Sequence, residues 1–175
     1  IKDIVIVRGR NFAPEDIEQS VFQCGLGAVS GVAAFAGDVG GREGLVVAGT
    51  SAGAAILSDD MISGTPEPAP HISGSMRPLR GLGLWPAVVI DQHFTQRNRE
   101  SRLMTAVLDR PELLGLGIDE RTAVVAEGGS FRVVGEGHVS VIDVRGAERG
   151  EFAAGERQSV TNARVALLKP GMSFR

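Results

Sequence analysis

The stretch Gly44-Leu45-Val46-Val47-Ala48-Gly49-Thr50-Ser51-Ala52-Gly53-Ala54-Ala55-Ile56-Leu57 decides the fold. Leu45 to Ala48 form a short apolar run bounded by glycines, the pattern of a buried strand. Gly49-Thr50-Ser51-Ala52-Gly53 reads as a tight turn, and Ala54-Ala55-Ile56-Leu57 as the opening of a helix. A serine with glycine two residues away on each side fits a sharp strand-to-helix turn, where side chains next to the serine have no room. Such a turn lifts the hydroxyl out of the sheet. It also aims backbone N–H groups at the helix start, that of Ala52 among them, to where an oxyanion would develop. The same pentapeptide suits a plain Gly-rich turn whose serine caps the helix.

A second unit follows the same plan. Ala87-Val88-Val89-Ile90 is an apolar strand ending at Asp91-Gln92-His93, and Arg97 to Leu108 fits a helix with Leu103, Met104, Val107 and Leu108 on one face. Upstream, Ile4-Val5-Ile6-Val7 reads as a strand, and Pro14-Glu15-Asp16 after Asn11 as a helix start. Residues 24 to 44 follow neither a period of 2 nor one of 3.6, which leaves loop, weak helix and small-residue packing open. Residues 63 to 80 hold four prolines and read as a long surface loop of the kind kept for binding or catalysis. The remainder, with Thr122 to Ala126, Phe131 to Val134, Val139 to Val144 and Arg164 to Leu168, reads as strands joined by Gly-rich turns. Strands separated by helices predict a single α/β domain over 1–175, with a mostly parallel sheet, flanking helices and antiparallel strands in the C-terminal third. Functional residues in such sheets gather beyond the carboxyl ends of the strands, where Ser51 and His93 both fall.

Composition narrows the function classes. The 175 residues are 43% hydrophobic with a formal net charge of −3, enough for one core and no field that would draw in nucleic acid or an anionic membrane. Cys24 is the single cysteine, which excludes an intramolecular disulfide and a Cys-rich metal site and is compatible with a reducing cytoplasm, the expected location. No run reaches the roughly 18 apolar residues of a membrane span. The sequence predicts neither a metal nor an organic cofactor.

A serine hydroxyl needs a base within hydrogen-bond reach, and His71, His93 and His138 are the candidates. His93 is preferred because it ends a strand alongside that of the serine. His71 sits in the Pro-rich loop and His138 in a Gly-Glu-Gly-His turn. A hydrogen-bonded structural imidazole is the alternative role for His93. Arg97, Arg99 and Arg102 follow on the first turns of one helix, with Arg99 and Arg102 on a common face. Cations there oppose the helix dipole and call for an anion, intramolecular or from substrate. A solvated basic face is the alternative.

Taken together, Gly49 to Ala55, Gly81-Leu82-Gly83-Leu84, Asp91 to Arg102 and Pro111 to Glu120 resemble the cyanophycinases and related aspartyl dipeptidases, peptidase family S51. The resemblance spans 44 to 145 and, more loosely, 158 to 173. It implies a class I glutamine amidotransferase-like fold and a serine exopeptidase that hydrolyses peptide or isopeptide bonds next to aspartate. The substrate implied is an Asp/Arg-containing peptide or a cyanophycin-like polymer. Ser51 is implied as nucleophile, His93 as base, and Asp91, Gln92, Arg97, Arg99 and Arg102 as substrate contacts. The family's acid lies between the nucleophile helix and the Gly-Leu-Gly segment, which points to Glu67, with Asp91 and Asp119 as fallbacks. Asp119-Glu120 otherwise reads as a strand-end turn.

The family's Gly-Gly-x-Gln segment ahead of the nucleophile has no counterpart here. Gly40-Gly41-Arg42-Glu43 lies too close to Ser51, and residues 1–43 read as divergent or truncated. A missing central strand would leave an apolar sheet edge for a second copy, so a homodimer is expected. Two other readings stand beside the peptidase: a catalytically impaired member acting as a binding or assembly subunit, and an ester hydrolase. The α/β ester hydrolases place their histidine in a far C-terminal loop, unlike His93.

Overall fold

The computed structural model describes residues 4–9, 32–38, 43–62, 69–127 and 129–175. The helix start expected at Pro14 and much of the irregular stretch 24 to 44 lie outside them. Strands β1 (Ile4–Gly9), β2 (Val32–Asp38) and β3 (Glu43–Thr50) precede the one-turn helix α1 (Ala52–Ala55). Then come β4 (Asp60–Ile62), β5 (Pro78–Arg80) and β6 (Val88–Gln92), a 3-10 turn at Thr95–Arg97 and helix α2 (Glu100–Asp109). The C-terminal part is a run of strands: β7 (Leu114–Ile118), β8 (Thr122–Glu127), β9 (Ser130–Gly135), β10 (Val139–Asp143), β11 (Glu148–Arg149), β12 (Val160–Thr161), β13 (Arg164–Leu168) and β14 (Ser173–Phe174).

These strands form a six-stranded sheet in the order β14-β9-β8-β1-β3-β2 and a four-stranded sheet in the order β13-β10-β7-β6, with two small pairs, β4-β5 and β11-β12. The architecture is mixed α/β, but the expectation of a mostly parallel sheet is corrected. Among the described residues only β1–β8 and β6–β7 pair in parallel, and the other pairings are antiparallel. A parallel neighbour needs a long crossover, which α2 supplies between β6 and β7. The connections β2–β3 and β8–β9 are too short for one and turn the chain back on itself.

β6 and β7 are buried on both faces. Val88, Ile90, Leu114, Leu116 and Ile118 join Val47, Ala54, Leu57, Val124 and Phe131 in one core. On the opposite face Val89 packs with Phe94 and with Leu103, Ala106, Val107 and Leu108, most of them from α2. Burying each of these larger side chains contributes about 1.5–3 kcal/mol. The glycines of Leu114-Gly115-Leu116-Gly117-Ile118 set the depth of this packing. A Cβ on Gly115 would lie 2.8 Å from Val107 Cγ1, and one on Gly117 would overlap the Phe94 ring. α2 starts at Glu100 and not at Arg97, because Asn98 takes the left-handed conformation, φ 51°, between the 3-10 turn and the helix.

β10 ends at Asp143, a buried carboxylate. Its Oδ1 accepts from the backbone N–H of Arg145 at 3.0 Å and from Nε at 2.8 Å, and its Oδ2 from Nη2 at 2.8 Å. The side-chain hydrogen bonds of Arg145 hold the carboxyl down at about 2. A folded-state value below the unfolded one means stability that is complete above about pH 4 and is lost as pH falls toward 2. Arg145 is half exposed, so solvent screening limits the effect. Asp143→Asn is expected to cost about 1 kcal/mol at pH 7. Urea unfolding of both proteins should show the gap closing as pH falls through that window, and a pH-independent gap would refute the assignment.

Candidate active site

Ser51 follows β3 with φ 57° and ψ −122°, a backbone conformation that a residue with a side chain holds only when its surroundings dictate it. The dictate is the tight return of α1. A Cβ on Gly49 would overlap the carbonyl of Gly53, so glycine is required where strand and helix touch. The Ser51 carbonyl accepts from the N–H groups of Ala54 at 2.9 Å and Ala55 at 3.3 Å. Its hydroxyl makes no helix-capping hydrogen bond, so the capping role is not the one this side chain plays. Ala52, next in the chain, is exposed and opens α1.

The Ser51 hydroxyl faces His93, with Oγ 2.9 Å from Nε2. His93 is buried on the turn after β6, itself at φ 51°. Its Nδ1 lies 2.9 Å from Oε1 of Glu120. An ionised carboxylate can only accept, so the shared proton resides on Nδ1 and the Nε2 lone pair accepts the serine hydroxyl. A hydroxyl, imidazole and carboxylate in this order can draw the proton off Oγ as it attacks an electrophilic carbonyl and then stabilise the imidazolium that results.

Glu120 reaches His93 because of strand register. β6 and β7 run parallel with Gln92 opposite Ile118, so the chain leaving each strand emerges at the same end and side by side. The family resemblance points to Glu67 for this acid, with Asp91 and Asp119 as fallbacks, and does not point to Glu120. The signal that could have found it is its position just past the end of the strand next to that of His93. Glu67 lies outside the described residues. Asp119 is buried and accepts from Thr95, through N–H at 3.1 Å and Oγ1 at 2.7 Å, and from the N–H of His138 at 3.2 Å.

Asp91 is 1% exposed and is the anion on which the helix-start cations close. Arg102 grips it with Nε on Oδ2 at 2.6 Å and Nη2 on Oδ1 at 2.5 Å, and Arg99 Nη1 lies 3.3 Å from Oδ1. Arg99 Nη1 also donates to the side-chain oxygen of Gln92 at 3.1 Å. Arg99 and Arg102 are both buried, whereas Arg97 is exposed on the 3-10 turn. The structure thus brings Asp91, Gln92, Arg99 and Arg102 into one cluster whose charged members are buried, and leaves Arg97 outside it. Among the described residues no group of three or more His, Cys, Asp and Glu could hold a metal ion, and no helix is long and apolar enough to cross a membrane.

Fold and site define a mixed α/β protein with a Ser-His-Glu hydrogen-bond chain beyond its strand ends. The model of peptidase family S51 matches residues 32–134. The chain is 41% identical over 131 residues to a cyanophycinase of Synechococcus elongatus, an alignment covering 72% of this chain and 40% of that protein. It is 40% identical over 134 residues to a cyanophycinase of Trichormus variabilis, covering 74% and 45%, and 36% identical over 131 residues to one of Geminocystis herdmanii, covering 73% and 48%. The match spans less than half the length of these curated relatives. The chain belongs to peptidase family S51.

Removing the shared anion should expose what the arginine cluster contributes. Asp91→Ala leaves two buried guanidiniums without this carboxylate and is expected to lower the unfolding free energy by about 3 kcal/mol or more, read as the urea midpoint. An unchanged midpoint would mean that the cluster adds nothing to stability.

Proposed function

We propose that this chain acts as a serine-type exopeptidase of the cyanophycinase kind, hydrolysing amide bonds next to aspartate of the β-Asp-Arg type. The observation that carries the proposal is the continuous chain Ser51 Oγ, His93 Nε2, His93 Nδ1, Glu120 Oε1, with 2.9 Å at each link. Ser51 Oγ attacks the scissile carbonyl carbon while its proton passes to Nε2 of His93. The Glu120 carboxylate, accepting from Nδ1–H, stabilises the imidazolium. The N–H of Ala52 is the oxyanion donor contributed by the nucleophile turn. His93 returns the proton to the leaving amine, which departs and leaves an acyl ester on Ser51. Water then attacks that ester as Nε2 takes its proton, and Ser51 regains its hydrogen as the carboxylic acid product leaves.

Glu120 takes the orienting role that the family resemblance gives to Glu67. Of the expected substrate contacts, Arg97 is the exposed guanidinium beside the histidine turn, and no ion pair among the described residues includes it. It is suited to a substrate carboxylate. Asp91, Gln92, Arg99 and Arg102 are instead hydrogen-bonded among themselves. A class I glutamine amidotransferase-like fold is part of the proposal, supported by the strand, serine turn and helix unit. The proposed assembly is a homodimer in the cytoplasm, testable by sedimentation and cell fractionation.

Release of β-Asp-Arg from a cyanophycin-like polymer is the direct assay. Ser51→Ala should lower the rate by about 10⁴-fold or more, and Glu120→Gln, whose carboxylate is half exposed, by about 10²-fold. Polymer binding without turnover would favour the impaired binding subunit, and turnover of simple esters alone the ester hydrolase. Arg97→Ala should raise KM about tenfold with an unchanged melting temperature, whereas Arg99→Lys should lower the melting temperature. The reverse pattern would remove Arg97 from the substrate site.

A further inference from the structure

The turns that carry His93 and Glu120 are stitched together by more than their own hydrogen bond. Phe94 N–H donates to the Ile118 carbonyl at 3.1 Å, Thr95 donates twice to Asp119, and the N–H of Glu120 donates to Oε1 of Gln96 at 3.1 Å. Within this lacing Asp119 is the buried charged member. Its Oδ1 takes both bonds from the histidine turn, and its Oδ2 takes the His138 N–H from the turn before β10. Its own N–H donates to the His138 carbonyl at 3.2 Å. One carboxylate therefore ties three chain segments together, next in the chain to Glu120 and bonded to the residue two places after His93. The mechanism above gives it no role.

We propose that Asp119 is a positioning residue that sets the distance between His93 and Glu120, and so the tautomer and aim of the imidazole that serves Ser51. The proposal rests on the Ser51–His93–Glu120 reading for its kinetic consequence, but not for its structural one. Two chain turns with φ 51° at His93 and 57° at Arg121 have no regular ladder to hold them. A buried carboxylate accepting three hydrogen bonds supplies that fixity at points where backbone pairing ends. An acid of this kind acts without touching substrate. Its loss should misplace Glu120 on a scale at which a shift of about 1 Å costs about 10²-fold in rate.

Asp119→Asn is the discriminating change, because an amide keeps one acceptor for Thr95 and sets an NH2 group against the His138 N–H. Three readouts are taken on the full chain. The first is the downfield Nδ1–H proton resonance of His93 in histidine-labelled protein, assigned by its loss in His93→Gln. It is expected to weaken or vanish in Asp119→Asn, as in Glu120→Gln, while the His71 signals stay in place. The second is kcat/KM on the polymer, expected to fall about 10- to 100-fold when Asp119→Asn is made alone but less than about threefold when it is added to Glu120→Gln, since coupled residues are not additive. The third is the melting temperature. A lowered melting temperature with the resonance intact would overturn the proposal, as would an equal kinetic loss with and without Glu120→Gln. If Asp119→Asn does not fold, Thr95→Val removes a single bond to Oδ1 and should shift the same resonance in the same direction. An unmoved resonance overturns the proposal. If the wild-type chain shows no turnover, the peptidase reading fails while the resonance still decides the role of Asp119.

Discussion

The hydrogen-bonded chain from Ser51 through His93 to Glu120 depends on the parallel pairing of β6 with β7 in the register that sets Gln92 against Ile118. Parallel neighbours leave the sheet at the same end, so the residues after each strand, His93 on one and Asp119-Glu120 on the other, meet without any long-range search. A slip of one residue would turn every side chain of one strand to the opposite face and part the imidazole from its carboxylate. The register is pinned by shape. Leu114, Leu116 and Ile118 fill one core, and Gly115 and Gly117 leave room on the other face for Val107, Leu103 and Phe94. In the slipped register bulky residues would face α2, where only hydrogen atoms fit.

The buried Asp91 cluster secures the same region from below. Asp91 sits in β6 two residues before His93, and Arg102 sits in α2, so their bidentate pairing clamps the helix to the strand whose end carries the imidazole. Taking three charges out of water is costly, and it is the forked geometry that offsets the cost. The cations at the start of α2 oppose the helix dipole, and the 1%-exposed Asp91 carboxylate resolves that conflict internally. This separates the structural guanidiniums from Arg97, which the sequence places in the same run and the 3-10 turn turns outward.

Much of the site is legible in the sequence, because local patterns encode local geometry. Gly49-Thr50-Ser51-Ala52-Gly53 states a turn with no space for side chains, and the Gly49–Gly53 contact is that statement in three dimensions. His93 at the end of an apolar run is legible for the same reason. Glu120 is not, since its place beside His93 depends on β7 pairing with β6 in parallel, a long-range contact that no local pattern states. Packing explains the glycines of β7, Gly115 against Val107 and Leu103 of α2 and Gly117 against the Phe94 ring. The mostly parallel sheet is a misreading that assumes helical spacers between strands where the chain instead turns back sharply, as between β8 and β9.

The backbone at Ser51, φ 57° and ψ −122°, lies where a residue with a Cβ costs about 1–3 kcal/mol. The fold therefore carries a standing elastic load at the position whose hydroxyl it turns toward His93. Glycine at position 51 would relax it, so a chain stripped of its hydroxyl there would be the sturdier one. Backbone ease and the presence of this hydroxyl pull in opposite directions at a single residue, and a search for hardier variants by melting temperature alone would drift toward chains that lack it.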